Sequence, residues 1–167
     1  NDKNKLDPRM IVESYKTLKK NTNLYKNLKI IRIALPSFYA GPNEAYLQAT
    51  CFNNLGFKSF IVGRDHAGYK NYFNKYDSQN IFNKLSDLKI KILKTKEPLL
   101  CQECLNIGFE NSNFCKCKNF KNYLSINGRD IKKMLLKNDI KSIEKFLSQP
   151  ILFFLKKNLK KIREFRA

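Results

Sequence analysis

Four cysteines within seventeen residues, Cys101, Cys104, Cys115 and Cys117, constrain this chain more than any other feature. Two close pairs on one short loop can converge on a tetrahedral Zn²⁺ as thiolates, at the soft end of zinc's ligand range. The loop between them is poor in hydrophobic residues, so a metal is a sensible substitute for a core there. The second pair, Cys-x-Cys, is tighter than the usual Cys-x2-Cys. Two disulfides or a set of free thiols are the plainer alternatives, and a reducing cytosol disfavours the disulfides. Four thiolates leave no open coordination position, so a metal here is structural rather than catalytic. Cys51 stands apart on an apolar helix face and reads as a small core residue.

The charge is the second constraint. Against 14 acidic residues stand 33 Lys and Arg, a formal net charge of +19 over 167 residues. That balance suggests a polyanion partner, but only 6 of the basic residues are Arg, the type favoured for bidentate phosphate and guanine contacts. Lys, Asn, Ile, Phe and Tyr share codons rich in A and T, so compositional drift accounts for the excess and nucleic acid is a poor expectation. Hydrophobic residues at 43% support a real core, which excludes a disordered basic tail. The length suits one domain, or one with a small appendage. The longest apolar run, Ile151 to Leu155, is far short of the roughly 18–20 residues of a membrane span. Asn1 to Lys5 are polar and charged, so no export leader is expected and the cytoplasm is the expected compartment. A start at Asn1 rather than Met suits a fragment.

Along the chain, Met10, Ile11, Tyr15 and Leu18 fall at helical spacing from Pro8 to Lys20. Leu28 to Leu35 reads as a buried strand, Asn43 to Asn54 as a helix closed near Gly56, and Phe57 to Val62 as a second strand. Tyr76 to Leu88 reads as a helix and Leu88 to Leu93 as a strand. Strands alternating with helices predict an α/β domain with a mainly parallel sheet. Helices are expected near Gly128–Lys137, Lys141–Leu147 and Pro150–Phe165, the last packing on the sheet with its amines in solvent.

The sole histidine lies in Gly63-Arg64-Asp65-His66-Ala67-Gly68, directly after a predicted strand. In parallel sheets ligands bind beyond the carboxyl ends of the strands. Glycines there permit close backbone approach, free N–H groups hold anionic oxygens, and Arg64 offers a fixed positive fork. A tight turn closed by an Arg64–Asp65 ion pair is the bland alternative. The Walker pattern is absent from the chain.

These residues carry a resemblance. Ile61 to Gly68 resembles the F-I-V-G-R-D-H-A-G signature of ATP sulfurylase (sulfate adenylyltransferase). Leu35-Pro36 with Tyr39-Ala40-Gly41-Pro42-Asn43-Glu44-Ala45 resembles that family's L-P…Y-A-G-P-R-E-A, and Lys75 to Phe82 resembles its G-P-Y-D-A-Q-x-I-F. The cysteine pairs sit where bacterial and archaeal members carry a zinc-binding insertion, and Asn127 to Lys132 falls where they have S-G-T-x-I-R. The resemblance implies a nucleotidyltransferase-like (Rossmann-type) α/β fold with a parallel sheet, a zinc-binding insertion and a small C-terminal helical subdomain. Its divisions would be 1–98, 99–121 and 122–167. It implies the reaction of ATP with sulfate to give adenosine 5′-phosphosulfate and pyrophosphate, with Mg²⁺ accompanying the nucleotide. Gly63, Arg64, Asp65 and His66 would contact the nucleotide and the N–H of Ala67 the sulfate, with Arg64 and His66 as the catalytic pair. His66 would shape the site rather than act as a general base, since sulfate has no proton to lose. Cys101, Cys104, Cys115 and Cys117 would hold structural Zn²⁺. Family members commonly self-associate, which implies a homo-oligomer.

Departures from the family pattern are specific. Its Q-x-R-N-x-x-H-x-x-H motif occurs nowhere in these 167 residues, so the chain resembles the C-terminal half of the enzyme. The family's Arg in P-R-E-A is Asn43, and Asn127, Arg129 and Lys132 replace the Ser, Thr and Arg of S-G-T-x-I-R. Two other readings stay open: an inactive remnant of the enzyme, and a non-enzymatic basic zinc-loop module that binds nucleic acid.

Overall fold

The computed structural model describes residues 8–85, 87–117 and 122–164. The chain forms two compact units, one spanning 34–125 and the other combining 1–33 with 126–167. Phe165, the expected end of the last helix, and residues 118–121 of the expected zinc loop lie outside the described residues.

The first helix in chain order, α1 (Pro8–Asn21), belongs to the other unit, and the unit 34–125 begins with α2, Pro42–Asn54. Pro42 opens it, where the missing N–H costs nothing, and Glu44 stands in the first turn at the positive end of the helix dipole. The helix buries Glu44, Ala45 and Ala49. Strand β1, Ser59–Val62, then pairs in parallel with β2, Lys91–Lys94, in the register Val62 to Lys94. Between them lie a single turn of helix, α3 (Asp77–Asn80), and a 3-10 turn at Ile81–Asn83. The longer helix expected over 76–88 does not form. Asn80 and Asn83 are weak helix formers, and the Asn83 Oδ1 accepts Lys94 Nζ of β2 at 2.5 Å.

The cysteine segment holds more structure than a loop. Strands β3 (Pro98–Cys101), β4 (Ile107–Phe109) and β5 (Tyr123–Ser125) make an antiparallel sheet in the order β4-β3-β5. The expectation of a mainly parallel sheet is therefore corrected: the parallel part is one pair of strands, and the larger sheet is antiparallel. The predicted strand at Leu28–Leu35 is corrected too. Residues 28–40 carry no regular structure, and Ile31 is 65% exposed. An apolar run becomes a strand only when another strand accepts its hydrogen bonds, and no described strand of this chain pairs with it.

The other unit is helical. It contains α1 (Pro8–Asn21), α4 (Gly128–Lys137), α5 (Ile140–Ile143) and α6 (Gln149–Glu164). Asn127 caps α4, its Oδ1 accepting the Asp130 N–H at 2.9 Å, and Asp139 caps α5 in the same way at 3.2 Å from Ser142 N. Asn138, with φ of 59°, ends α4 in the left-handed region. Leu135, Ile143 and Leu152 form the core, and Ile131, Met134, Ile140, Leu147 and Leu155 pack around them. Helix α6 also packs along α1, and its Leu152 and Leu155 belong to this cluster. Ile143 is fully buried at the centre of this cluster. Ile143→Ala is expected to cost about 2–5 kcal/mol, read by urea denaturation.

No helix among the described residues is long and apolar enough to cross a membrane.

Candidate anion loop and metal centre

The loop 63–68 leaves the carboxyl end of β1, as the sequence predicts. Its shape is tight. Asp65 and Ala67 both adopt positive φ, 51° and 55°. Gly68 N–H closes the turn onto Asp65 O at 3.1 Å, and a Cβ at Gly68 would collide with the Asp65 carboxylate. Asp65 N–H donates to Lys75 O at 2.8 Å, and Ala67 O accepts Gly41 N–H at 2.9 Å. Gly41 must itself be glycine: its φ is 52°, and a Cβ would stand 2.5 Å from the Phe73 ring. Among the described residues the backbone N–H groups of His66 and Ala67 donate to nothing. Backbone donors seldom stay unpaired in a partly buried turn, so these two are a natural seat for anionic oxygen.

His66 is fixed by a relay that the sequence did not show. Glu44, only 4% exposed, accepts the N–H groups of Phe38 and Ala40 at 3.0 and 3.2 Å. It also accepts Gln48 Nε2 at 3.0 Å, which turns Gln48 Oε1 toward His66 Nε2, 2.8 Å away. An amide oxygen accepts only, so His66 Nε2 carries the proton and Nδ1 the lone pair of the neutral ring. Ser78 Oγ holds the backbone O of His66 at 2.7 Å, and the ring stands edge-on to Phe60. Burial pushes the His66 pKa below 6.5, with Glu44 opposing. The folded chain therefore binds fewer protons than the unfolded one as pH falls. Stability from the neutral imidazole is complete above about 6.5 and is lost as pH falls through the lower folded value. Thermal melts between pH 7.5 and 5 should show this component in the wild type and not in His66→Gln.

Arg64 does not pair with Asp65. Its Nε lies 3.3 Å from Glu97 Oε1, with the Arg64 side chain 27% exposed. Glu97, 8% exposed, also receives Lys75 Nζ and Ser125 Oγ. Lys75 Nζ bridges on to Glu110 at 3.1 Å, and Tyr76 OH donates to Glu110 at 2.5 Å. Burial acts to raise the Glu97 pKa, but Lys75, Ser125 and Arg64 together hold it below the ordinary value. Gln48, Glu97 and Glu110 were not singled out from sequence, and Glu44 and Lys75 entered only as members of quoted motifs, with no role given. The available signal was the rarity of acids: in so basic a chain, a carboxylate beside an apolar strand needs a cation to face.

Cys101, Cys104, Cys115 and Cys117 converge. Their four Sγ atoms lie within 4.8 Å of one another, and all five cysteines are free thiols. A tetrahedral ion about 2.3 Å from each sulfur sets the sulfurs roughly 3.8 Å apart, so a small contraction closes the set. Cys101 sits fully buried at the end of β3, and backbone N–H donation from Cys104 brings its pKa down to about 7. Burial and the neighbouring Cys104 and Cys101 sulfurs push Cys117 up. At Cys104 the Asn106 N–H pulls down, but burial and the Cys101 and Cys115 sulfurs outweigh it. Hydrogen bonding to Cys115 first, then burial, takes Tyr123 up to about 12. Four converging thiols are a donor set for a dication, which binds them as thiolates and displaces their protons. The residues fit a metal ion. Cys51 is remote from the set and only half-buried, short of the core position expected.

Asn127 is occupied in capping α4, and the side chains of Arg129 and Lys132 lie outside the described ones.

These observations define a class: a mixed α/β protein with a small parallel sheet and a cysteine cluster suited to a metal. A family model described as ATP-sulfurylase matches residues 1–157, and the chain belongs to that family. A protein named sulfate adenylyltransferase from Hyperthermus butylicus is 34% identical over 128 residues, covering 76% of this chain and 32% of that protein. One of the same name from Deinococcus radiodurans is 48% identical over 68 residues, covering 40% and 18%. Another from Pyrococcus abyssi is 35% identical over 101 residues, covering 60% and 26%. The chain thus spans about a third or less of the length of these relatives.

Proposed function

We propose that this chain is the anion-binding and metal-bearing portion of a sulfate adenylyltransferase, on a nucleotidyltransferase-like fold. One observation carries the reading: two N–H donors, His66 and Ala67, that find no acceptor among the described residues, in a glycine-closed loop beyond β1 with Arg64 alongside. In this reading Gly63 to His66 hold the nucleotide and Ala67 N–H holds sulfate. Residues 1–98 carry that loop, 99–121 the metal insertion and 122–167 the helical subdomain.

The reaction needs position and charge rather than proton transfer. A sulfate oxygen forms a bond to the α-phosphorus of ATP, the bond to the bridging oxygen breaks, and pyrophosphate leaves. Both reactants are anions, so the protein's contribution is to hold them in line against their repulsion. Arg64 and the two N–H groups supply fixed positive dipoles for this. Neutral His66, gripped by Gln48 and the backbone, keeps the loop in shape and takes no proton. Mg²⁺ accompanying the nucleotide would supply charge neutralisation for the pyrophosphate. The cysteine set would hold Zn²⁺, which supplies a covalent staple for the small sheet and no chemistry.

Calorimetric titration of MgATP into the zinc-loaded chain tests the loop directly. Saturable binding that weakens about 10-fold or more in Gly68→Ala is expected, since the added Cβ displaces Asp65 and opens the turn. Equal binding by both proteins would refute the assignment of the loop.

A further inference from the structure

The small antiparallel sheet has two differently furnished ends. Strand β3 begins after Glu97 and ends at Cys101. Strand β5, paired with it in the register Cys101 to Tyr123 and Leu99 to Ser125, runs back from the cysteines toward Glu97. Tyr123 OH donates to Cys117 O at 3.0 Å at one end, and Ser125 Oγ donates to Glu97 at the other. Strand β4 likewise leads away from the cysteine turn to Glu110, whose N–H donates to Glu97 O at 2.8 Å. So the cysteine cluster closes one end of the sheet, and Glu97, Glu110 and Ser125 gather at the other. Four residues of strand, about 13 Å, separate them.

At that second end the acids meet Arg64 of the anion loop and Lys75, whose carbonyl accepts the loop's Asp65 N–H. Glu97 faces Arg64 and Lys75, and Glu110 faces Lys75. The sheet has little core of its own, Leu100 and Cys101 being its buried residues among those described. A sheet so small depends on the staple at its far end.

We infer that Glu97 is a positioning residue: the metal-stapled sheet presents its carboxylate to Arg64 Nε, so that metal loading sets the anion affinity of the loop. This rests on the proposed function for what the loop binds, but the coupling itself does not. A carboxylate at Nε fixes one edge of the planar guanidinium and leaves the opposite edge to meet a second anion. Simple charge screening predicts the reverse. If Glu97 only neutralised Arg64 and Lys75, its removal would strengthen anion binding.

The test uses the whole chain labelled with ¹⁵N-arginine, the Arg64 Nε–H signal being assigned by its loss in Arg64→Lys. In the zinc-loaded wild type that signal should be sharp and protected from solvent. It should move to the solvent-averaged position in the zinc-free chain and in Glu97→Gln, while Glu13→Gln, on α1, leaves it unchanged. Inorganic pyrophosphate should bind about 10-fold more weakly or worse in both, the scale of one charge-assisted hydrogen bond. In the Arg64→Lys background, Glu97→Gln should add less than about a twofold change, because its effect runs through Arg64. Should Glu97→Gln not load zinc, Ser125→Ala keeps every charge and should shift the Arg64 signal the same way. An Arg64 signal indifferent to zinc, or pyrophosphate binding unchanged or tighter in Glu97→Gln, overturns the inference. A wild type that ignores pyrophosphate refutes the proposed function instead, and the Arg64 signal still decides the coupling.

Discussion

Cys101→Ser is expected to lower metal affinity by more than about 100-fold, leaving less than one zinc per chain after purification. Losing even an outer partner of a metal ligand costs roughly 10–100-fold, and Cys101 is itself a ligand. Its pKa is brought down to about 7, chiefly by the Cys104 backbone N–H. A hydroxyl there is a weak donor to a soft ion. Because β3 carries Cys101 at its end and pairs with both β4 and β5, loss of the ion should open the three-stranded sheet. Fast amide exchange across β3–β5 is the expected signature, with the helices α4–α6 still protected. Cys51→Ser, outside the cluster, should keep full zinc. Metal uptake should also release protons and weaken as pH falls, more steeply below about 7, where Cys101 regains its proton as well. Chelation that leaves the sheet's exchange unchanged would contradict a structural metal.

Arg64→Ala is expected to reduce sulfate-dependent turnover of the completed enzyme by about 100- to 1000-fold, the loss typical of one preorganised donor to a developing negative charge. The variant removes the guanidinium and also frees Glu97 to hold Lys75 alone. Arg64→Lys should recover little of the loss, since an ammonium cannot span Glu97 and a phosphate with a planar fork. Steady-state rates of the three proteins, compared at saturating MgATP, give the answer. Equal rates would remove Arg64 from the site.

The parts legible in the sequence were those fixed by local chemistry. Pro8 marks a true helix start, the helix read from Asn43 begins one residue earlier at Pro42, and the strand read over Phe57–Val62 forms as Ser59–Val62 directly before the loop at Gly63. The cysteine spacing foretold convergence of the four sulfurs. What failed depended on partners distant in the chain. Leu28 to Leu35 has the composition of a strand, but no described strand accepts its hydrogen bonds. Strands β3, β4 and β5 are three or four residues long, too short for a period to show, and they exist through pairing with one another. Glu97 was invisible for the same reason. Its role depends on Arg64, 33 positions earlier, and Ser125, 28 positions later. The charge of +19 also changes meaning: the basic residues that matter here are Arg64 and Lys75, and both are already held by carboxylates.

The central claim is tested most directly by sulfate-dependent exchange of labelled pyrophosphate into ATP. The chain would be joined to the N-terminal portion of the Hyperthermus butylicus relative, which it matches over 76% of its own length. The account predicts exchange that requires sulfate and MgATP, and that falls with Arg64→Ala. A zinc-loaded, folded fusion without exchange, whose Arg64→Ala variant binds ATP as tightly as its parent, would contradict it.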